Sequence, residues 1–189
     1  MKDKTKYLML YSEAGMSFIM ALTSPFIHLY FIKLVSPVIF TISTLLMTIV
    51  CALTQTSLKT KERRAIFRKY LPHIMIVDVL LMCIISYFGL KNADIRFIGF
   101  GILNSITVVI WFTIMNEAIN DTLSSEKLTD FQVIKKTYGS WATAIGGALA
   151  VLISYLGIEW INLAVTLQCF GNFIFAICDY KAYKQLEIS

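Results

Sequence analysis

Six long apolar stretches occupy most of this chain, and they leave it few folds to choose from. They run over Leu8–Tyr30, Pro37–Thr56, Leu71–Leu90, Phe97–Ala118, Phe131–Tyr155 and Trp160–Tyr180. A helix rises about 1.5 Å per residue, so each stretch is long enough to cross a hydrocarbon core of about 30 Å. In lipid the backbone must satisfy its own N–H and C=O groups, which a helix does within one segment. The expected fold is all-α: a polytopic membrane protein with six transmembrane helices. Only short connections remain, so residues 1–189 are expected to form a single membrane domain.

The composition supports a bilayer as solvent. The chain is 57% hydrophobic and 15% charged, with a mean hydropathy of +0.70. A soluble fold of this length has too little interior to cover that surface. The net charge of +5 suggests nucleic acid at first sight, but its distribution argues against such a partner. With a cytoplasmic N-terminus, segments 1–7, 57–70, 119–136 and 181–189 lie inside. Fourteen of the seventeen Lys and Arg residues fall there, and only Lys33, Lys91 and Arg96 fall outside. This positive-inside bias places both termini in the cytoplasm, in a cell inner (plasma) membrane. Anionic lipid accounts for the basic segments. Tyr7, Tyr11, Trp141, Tyr180 and Tyr183 fall near the inner interface, and Tyr30, Tyr87, Tyr155 and Trp160 near the outer one. Amphipathic rings favour that level.

Chemistry of the catalytic kind finds no foothold. The first apolar run is too long for a signal peptide, carries Glu13 and lacks a convincing cleavage site, so it reads as a retained helix. Cys51, Cys83, Cys169 and Cys178 are scattered, without Cys-x-x-Cys or metal-ligand spacing. No nucleophile elbow, zinc-protease or phosphate-loop motif is present. His73 and Cys83 sit on one helix about 15 Å apart, too far for a nucleophile and its base. The expectation is a non-enzyme without cofactor or metal.

Punctuation along the chain is sparse. Pro37 is expected in the first turn of the second helix, and Pro72 to open the third. Asn92 and Asp94 mark an external turn. The internal connection 120–136 is expected to be the longest. Thr129 and Gln132 have capping-box spacing, which predicts a fifth helix starting near Asp130. A tight turn is expected around Gly157–Glu159. Helices one to three run inside to outside overall and helices four to six the reverse. This is compatible with a 3+3 inverted repeat: a first unit over 7–93, a second over 94–180, and a cytoplasmic tail over 181–189.

Polar residues within the apolar stretches are the site candidates. Glu13, Ser17, Ser24 and His28 lie within about 60° of arc on the first helix. A stripe that narrow is expected to face protein or water, because a charge at mid-helix costs roughly 2.5–3.5 kcal/mol. It serves as a wall of a substrate cavity, with Glu13 or His28 exchanging protons, or as a hydrogen-bonded seam between helices. Snorkelling of Glu13 to the interface is the remaining option. Asp78 is the other deep acid. Asn104, Thr107, Trp111 and Met115 share a face of the fourth helix, suited to a cavity lining or to ordinary packing. Arg63 and Arg64 with Glu117 and Asp121 are candidates for a cytoplasmic gate, or for a solvated helix end. Ala142, Gly146 and Ala150 form a small-residue packing face on the fifth helix, with Ser140, Ala144 and Ala148 on a second register. Asn162, Gln168 and Asn172 offer interhelical hydrogen bonds from the sixth.

Three segments carry a family resemblance. ALTSPFIHLYFIKLVSPVIFTIS over Ala21–Ser43 resembles the end of helix one, the turn and the start of helix two of the major facilitator superfamily. The basic connection after helix two and the Gly/Ala-rich YGSWATAIGGALAVL are similar to features of that family's N-terminal half. The family's loop signature is represented in TQTSLKTKERRAIF only by Arg63-Arg64. Members usually have twelve helices, so the resemblance implies one six-helix half. It implies secondary transport of a small-molecule substrate with proton coupling, by a homodimer or with a companion membrane subunit. The alternatives are a membrane-embedded substrate-binding or accessory subunit of a larger transport complex, and an inactive truncated half.

Overall fold

A computed structural model describes residues 3–155 and 160–187, and these are helical almost throughout, with no strand. The helices are α1 Asp3–Ile32, α2 Pro37–Ser57, α3 Lys61–Gly89, α4 Ala93–Thr122, α5 Ser125–Tyr155 and α6 Ile161–Glu187. All six are long and apolar enough to cross a membrane. The turn expected at Gly157–Glu159 lies outside the described residues.

Most helices extend well past their apolar stretches. α3 begins at Lys61 rather than Leu71, so Pro72 lies inside the helix instead of opening it. Thr60 is the N-cap: its hydroxyl accepts the Arg63 N–H at 3.4 Å. α5 begins at Ser125, and Thr129 sits within it, its hydroxyl donating to the Ser125 carbonyl. The predicted capping box is therefore absent, and the long internal connection shrinks to a turn. The cause is physical. Lys, Glu, Arg and Gln are good helix formers, so the hydrogen-bond ladder continues where hydropathy stops. Other signals act where expected. Ser36 caps α2 by accepting the Ile39 N–H at 3.2 Å, with Pro37 in the first turn. The Asn92 carbonyl oxygen accepts the N–H groups of Asp94 and Ile95 at 3.1 and 3.3 Å.

α2 has no charged residue and exposes Val38, Phe40, Ile42, Leu45, Ile49 and Leu53. The hydroxyls of Thr41, Thr44, Thr48, Thr54, Thr56 and Ser57 all donate to the carbonyl one turn back. A helix with that surface suits lipid, because its polar groups need nothing from outside.

The helices form two compact units that do not follow the sequential halves. One contains residues 1–30 and 118–189, and the other 31–117. In the first unit α1 lies between α5 and α6. Along α6 it runs antiparallel, through Thr5 to Gln185 at 2.8 Å, Gly15 against the Phe175 ring and Gly171 against Ile19. Near its C-terminal end Phe26 meets Trp160 edge-on at 4.7 Å. Along α5 it runs parallel, with Ser17 against Gly139 and Phe18 and Ala21 against Gly146.

In the second unit α4 takes the central place. It runs parallel to α2, where the Ser43 hydroxyl donates to the Phe97 carbonyl at 3.0 Å and Met47 covers Gly101. It runs antiparallel to α3, where Ile85 meets Gly99 and Arg96 packs on Gly89. The Arg96 guanidinium also lies over the Phe31 and Phe100 rings, at 4.4 and 5.1 Å.

The charge bias yields a topology test. A cysteine at the exposed Lys91 should react with an impermeant reagent from outside intact cells. One at the exposed Glu62 should react only after permeabilisation. Labelling of Glu62 in intact cells reverses the orientation.

Candidate functional site

The charged residues of the first unit converge near the cytoplasmic end expected for α1. Glu13 of α1 and Lys135 of α5 form an ion pair at 3.1 Å. Asp179 of α6 faces the Ser12 hydroxyl, and Lys135 and Glu13 are close enough to act on it electrostatically. Ser12 is buried and its hydroxyl also donates, at 3.5 Å, to the Phe175 carbonyl one turn before Asp179. Three helices thus deliver two carboxylates and one ammonium to one place. Glycine makes room for it: a Cβ on Gly139 would stand 3.3 Å from Ser17 Oγ and 3.5 Å from Glu13 Cγ.

The α1 stripe is divided between different environments. Glu13 and Ser17 face α5. Ser24 turns toward the Met20 sulfur of its own helix, at 4.0 Å. His28 is exposed, and its Nδ1–H donates to the Ser24 carbonyl at 3.0 Å. A histidine bonded to its own helix makes no contact with Glu13, about 22 Å away along the axis.

The second unit brings other candidates together. Asp78 of α3 is buried, at 7% exposure, and is hydrogen-bonded to Thr107 of α4. Asn104 and Trp111, one turn to either side of Thr107, are half-buried. Nearer the N-terminal end of α3 the Arg64 Nε–H reaches both Glu117 carboxylate oxygens at 3.2 Å. Its Nη1 donates to the Leu58 and Lys59 carbonyls at 2.9 and 3.0 Å. Arg64 therefore fastens the C-terminal end of α2 and the start of α3 to α4. Arg63 is exposed, and Asp121 belongs to the first unit.

Small residues on α5 divide by register. Gly146 and Ala150 are buried and Ala142 is half-buried, whereas Ser140, Ala144 and Ala148 are exposed. Gln168 is buried and its amide points at the Met20 sulfur, 3.2 Å away. Asn162 is exposed.

Lys135, Asp179 and Ser12 were not among the residues expected at a site. Lys135 falls in the internal segment 119–136, at the polar start of its apolar stretch. Asp179 falls at the edge of its apolar stretch, where an acid normally indicates a solvated end. The available signal was helical phase: Lys135 lies within the fifth stretch, one turn before Gly139, on the face turned to α1. No protein family, curated protein or solved structure matches the chain.

Proposed function

We propose that the chain is a half-size secondary transporter of a small solute, inserted with both termini in the cytoplasm and acting as a homodimer or with a companion half. The observation that carries this reading is the cluster of Glu13, Lys135 and Asp179, drawn from three helices that are each apolar enough to span a membrane. Charges on such helices are costly, and packing alone does not require them. One ammonium facing two carboxylates has two ways to pair. A proton arriving on one of the two acids leaves Lys135 to the other, and its departure restores the competition. Such an exchange ties proton binding to the relative positions of α1, α5 and α6.

The helix grouping supports the inverted repeat. If α1, α2, α3 correspond to α4, α5, α6, the units are related by exchange of their first helices: α1 joins α5 and α6, and α4 joins α2 and α3. Both central helices run parallel to one neighbour and antiparallel to the other. The outward face of α5 suits a second copy or a companion half. It presents an open groove of about 460 Å³ along Lys136, Ser140, Trp141 and Ala144.

The test is solute-driven proton movement in proteoliposomes holding a pH-sensitive dye, under an imposed pH gradient. Panels of amino acids, sugars and organic cations supply the solutes. One solute class should discharge the gradient with the wild-type chain. Glu13→Gln should abolish gradient-driven accumulation and leave solute exchange partly intact. Wild-type accumulation by Glu13→Gln removes this residue from coupling. Absence of flux across all panels, with the protein folded, overturns the transport reading.

A further inference from the structure

The second unit holds an acid in an unusual position. Asp78 lies mid-way along α3, in a span of mean hydropathy 2.0, and is more than nine-tenths buried. Thr107 attends one side of its carboxyl. The Oδ1 atom is buried with no hydrogen-bond partner. An ionised carboxylate in that setting leaves a full charge facing apolar surroundings with a single neutral hydroxyl for company, at a cost of several kcal/mol.

Among the described residues of the unit, no charged side chain forms an ion pair with it. On α3, His73 and Cys83 are each five residues away, about 140° around the helix, and His73 is exposed. On α4, Arg96 and Glu117 are ten or more residues from Thr107, about 15 Å along the axis, and Glu117 is held by Arg64. α2 has no charged residue. The contrast with Glu13 is direct, since that acid faces an ammonium at 3.1 Å.

We propose that Asp78, held by Thr107, is a proton-binding site in the second unit, separate from the charged cluster of the first. With the proton bound, the group is a neutral carboxylic acid. It has one O–H to donate and a carbonyl to accept, which matches a partner hydroxyl that can do either. Binding forms the O–H bond and cancels the negative charge, and release restores it. The site stands whether or not the chain transports a solute, because it rests on burial and partners alone.

Infrared spectroscopy of the purified full chain in lipid nanodiscs at mildly acidic pH is the test. A protonated carboxyl shows a carbonyl band above the amide region that an ionised one lacks. In an Asp179→Asn background, which removes the other deeply buried acid, the chain should show this band and adding Asp78→Asn should abolish it, while adding Glu13→Gln leaves it in place. Thr107→Val should move the band, because the hydrogen bond to the carboxyl is gone. Asp78→Asn should also melt within a few degrees of wild type, since the amide resembles the neutral acid. Absence of the band in the Asp179→Asn background, or its persistence there when Asp78→Asn is added, overturns the proposal. A melting temperature that rises with sodium chloride but not choline chloride, without the band, replaces the proton with a sodium ion and equally overturns it. If Asp78→Asn does not fold, Thr107→Val decides: an unmoved band belongs to another acid.

Discussion

Gly146→Ala should destabilise the protein by about 2–3 kcal/mol, and Gly147→Ala should be neutral or stabilising. The two glycines are adjacent on α5 and differ only in what a methyl group meets. A Cβ on Gly146 would stand 2.5 Å from the Phe18 carbonyl oxygen, 3.1 Å from Ala21 Cβ and 3.3 Å from the Leu22 nitrogen. Two of these are backbone atoms of α1 and cannot swing aside, so the helices must separate. A Cβ on Gly147 meets nothing within 4 Å. It gains the helix preference of alanine over glycine, up to about 1 kcal/mol. Gly146→Leu should go further and abolish recovery of folded protein. Thermal melts in detergent, followed by size-exclusion chromatography, read the difference. Equal melting temperatures for the two alanine variants would show that α1 and α5 do not approach this closely.

Lys135→Met should be the most damaging single change in the charged cluster, costing about 2–3 kcal/mol. Breaking a buried pair costs about 3–5 kcal/mol because the partner's charge is stranded. The lower figure reflects Glu13, whose side chain is 39% exposed. Asp179 also lies in reach of Lys135 and loses that attraction. Glu13→Gln alone should cost about 1 kcal/mol or less, because Lys135 keeps Asp179. The double variant Lys135→Met with Glu13→Gln should then be more stable than Lys135→Met alone. That sign distinguishes a coupled cluster from two independent contacts. Additive losses in the melting temperatures would mean that the ion pair contributes nothing of its own.

Helix centres were readable from the sequence because hydropathy marks segments that leave water, and the six apolar stretches fall in helices except for the single end residues Leu90 and Trp160. Helix ends were not, because Lys61–Tyr70 and Ser125–Asp130 are polar yet rich in helix formers. The site suffers from the same difficulty. Glu13 and Asp78 stand out as acids among apolar neighbours, and Arg64 and Glu117 as charges at opposite helix ends. Lys135 does not stand out among the charges around it. Partner choice lay further beyond reach: α1 packs on α5 and α6, and a linear pattern does not say which helices become neighbours. The α1 stripe was sound in phase, yet phase alone does not separate a side chain facing α5 from one bonded to its own backbone, as at His28.

The order of helices along the chain makes assembly lopsided in time. α2, α3 and α4 are consecutive, so the second unit can close once Glu117 has been made. α1 is synthesised first, but its neighbours arrive last. At about 5–20 residues per second, Lys135 follows Glu13 by roughly 6–25 seconds. In a chain inserted during synthesis, α1 spends that interval in the membrane with an acid whose counter-charge does not yet exist. A ribosome that stalls before α5 leaves a finished second unit beside an orphaned α1. Such a product keeps Glu13 on an apolar helix without Lys135, the partner it has in the folded chain.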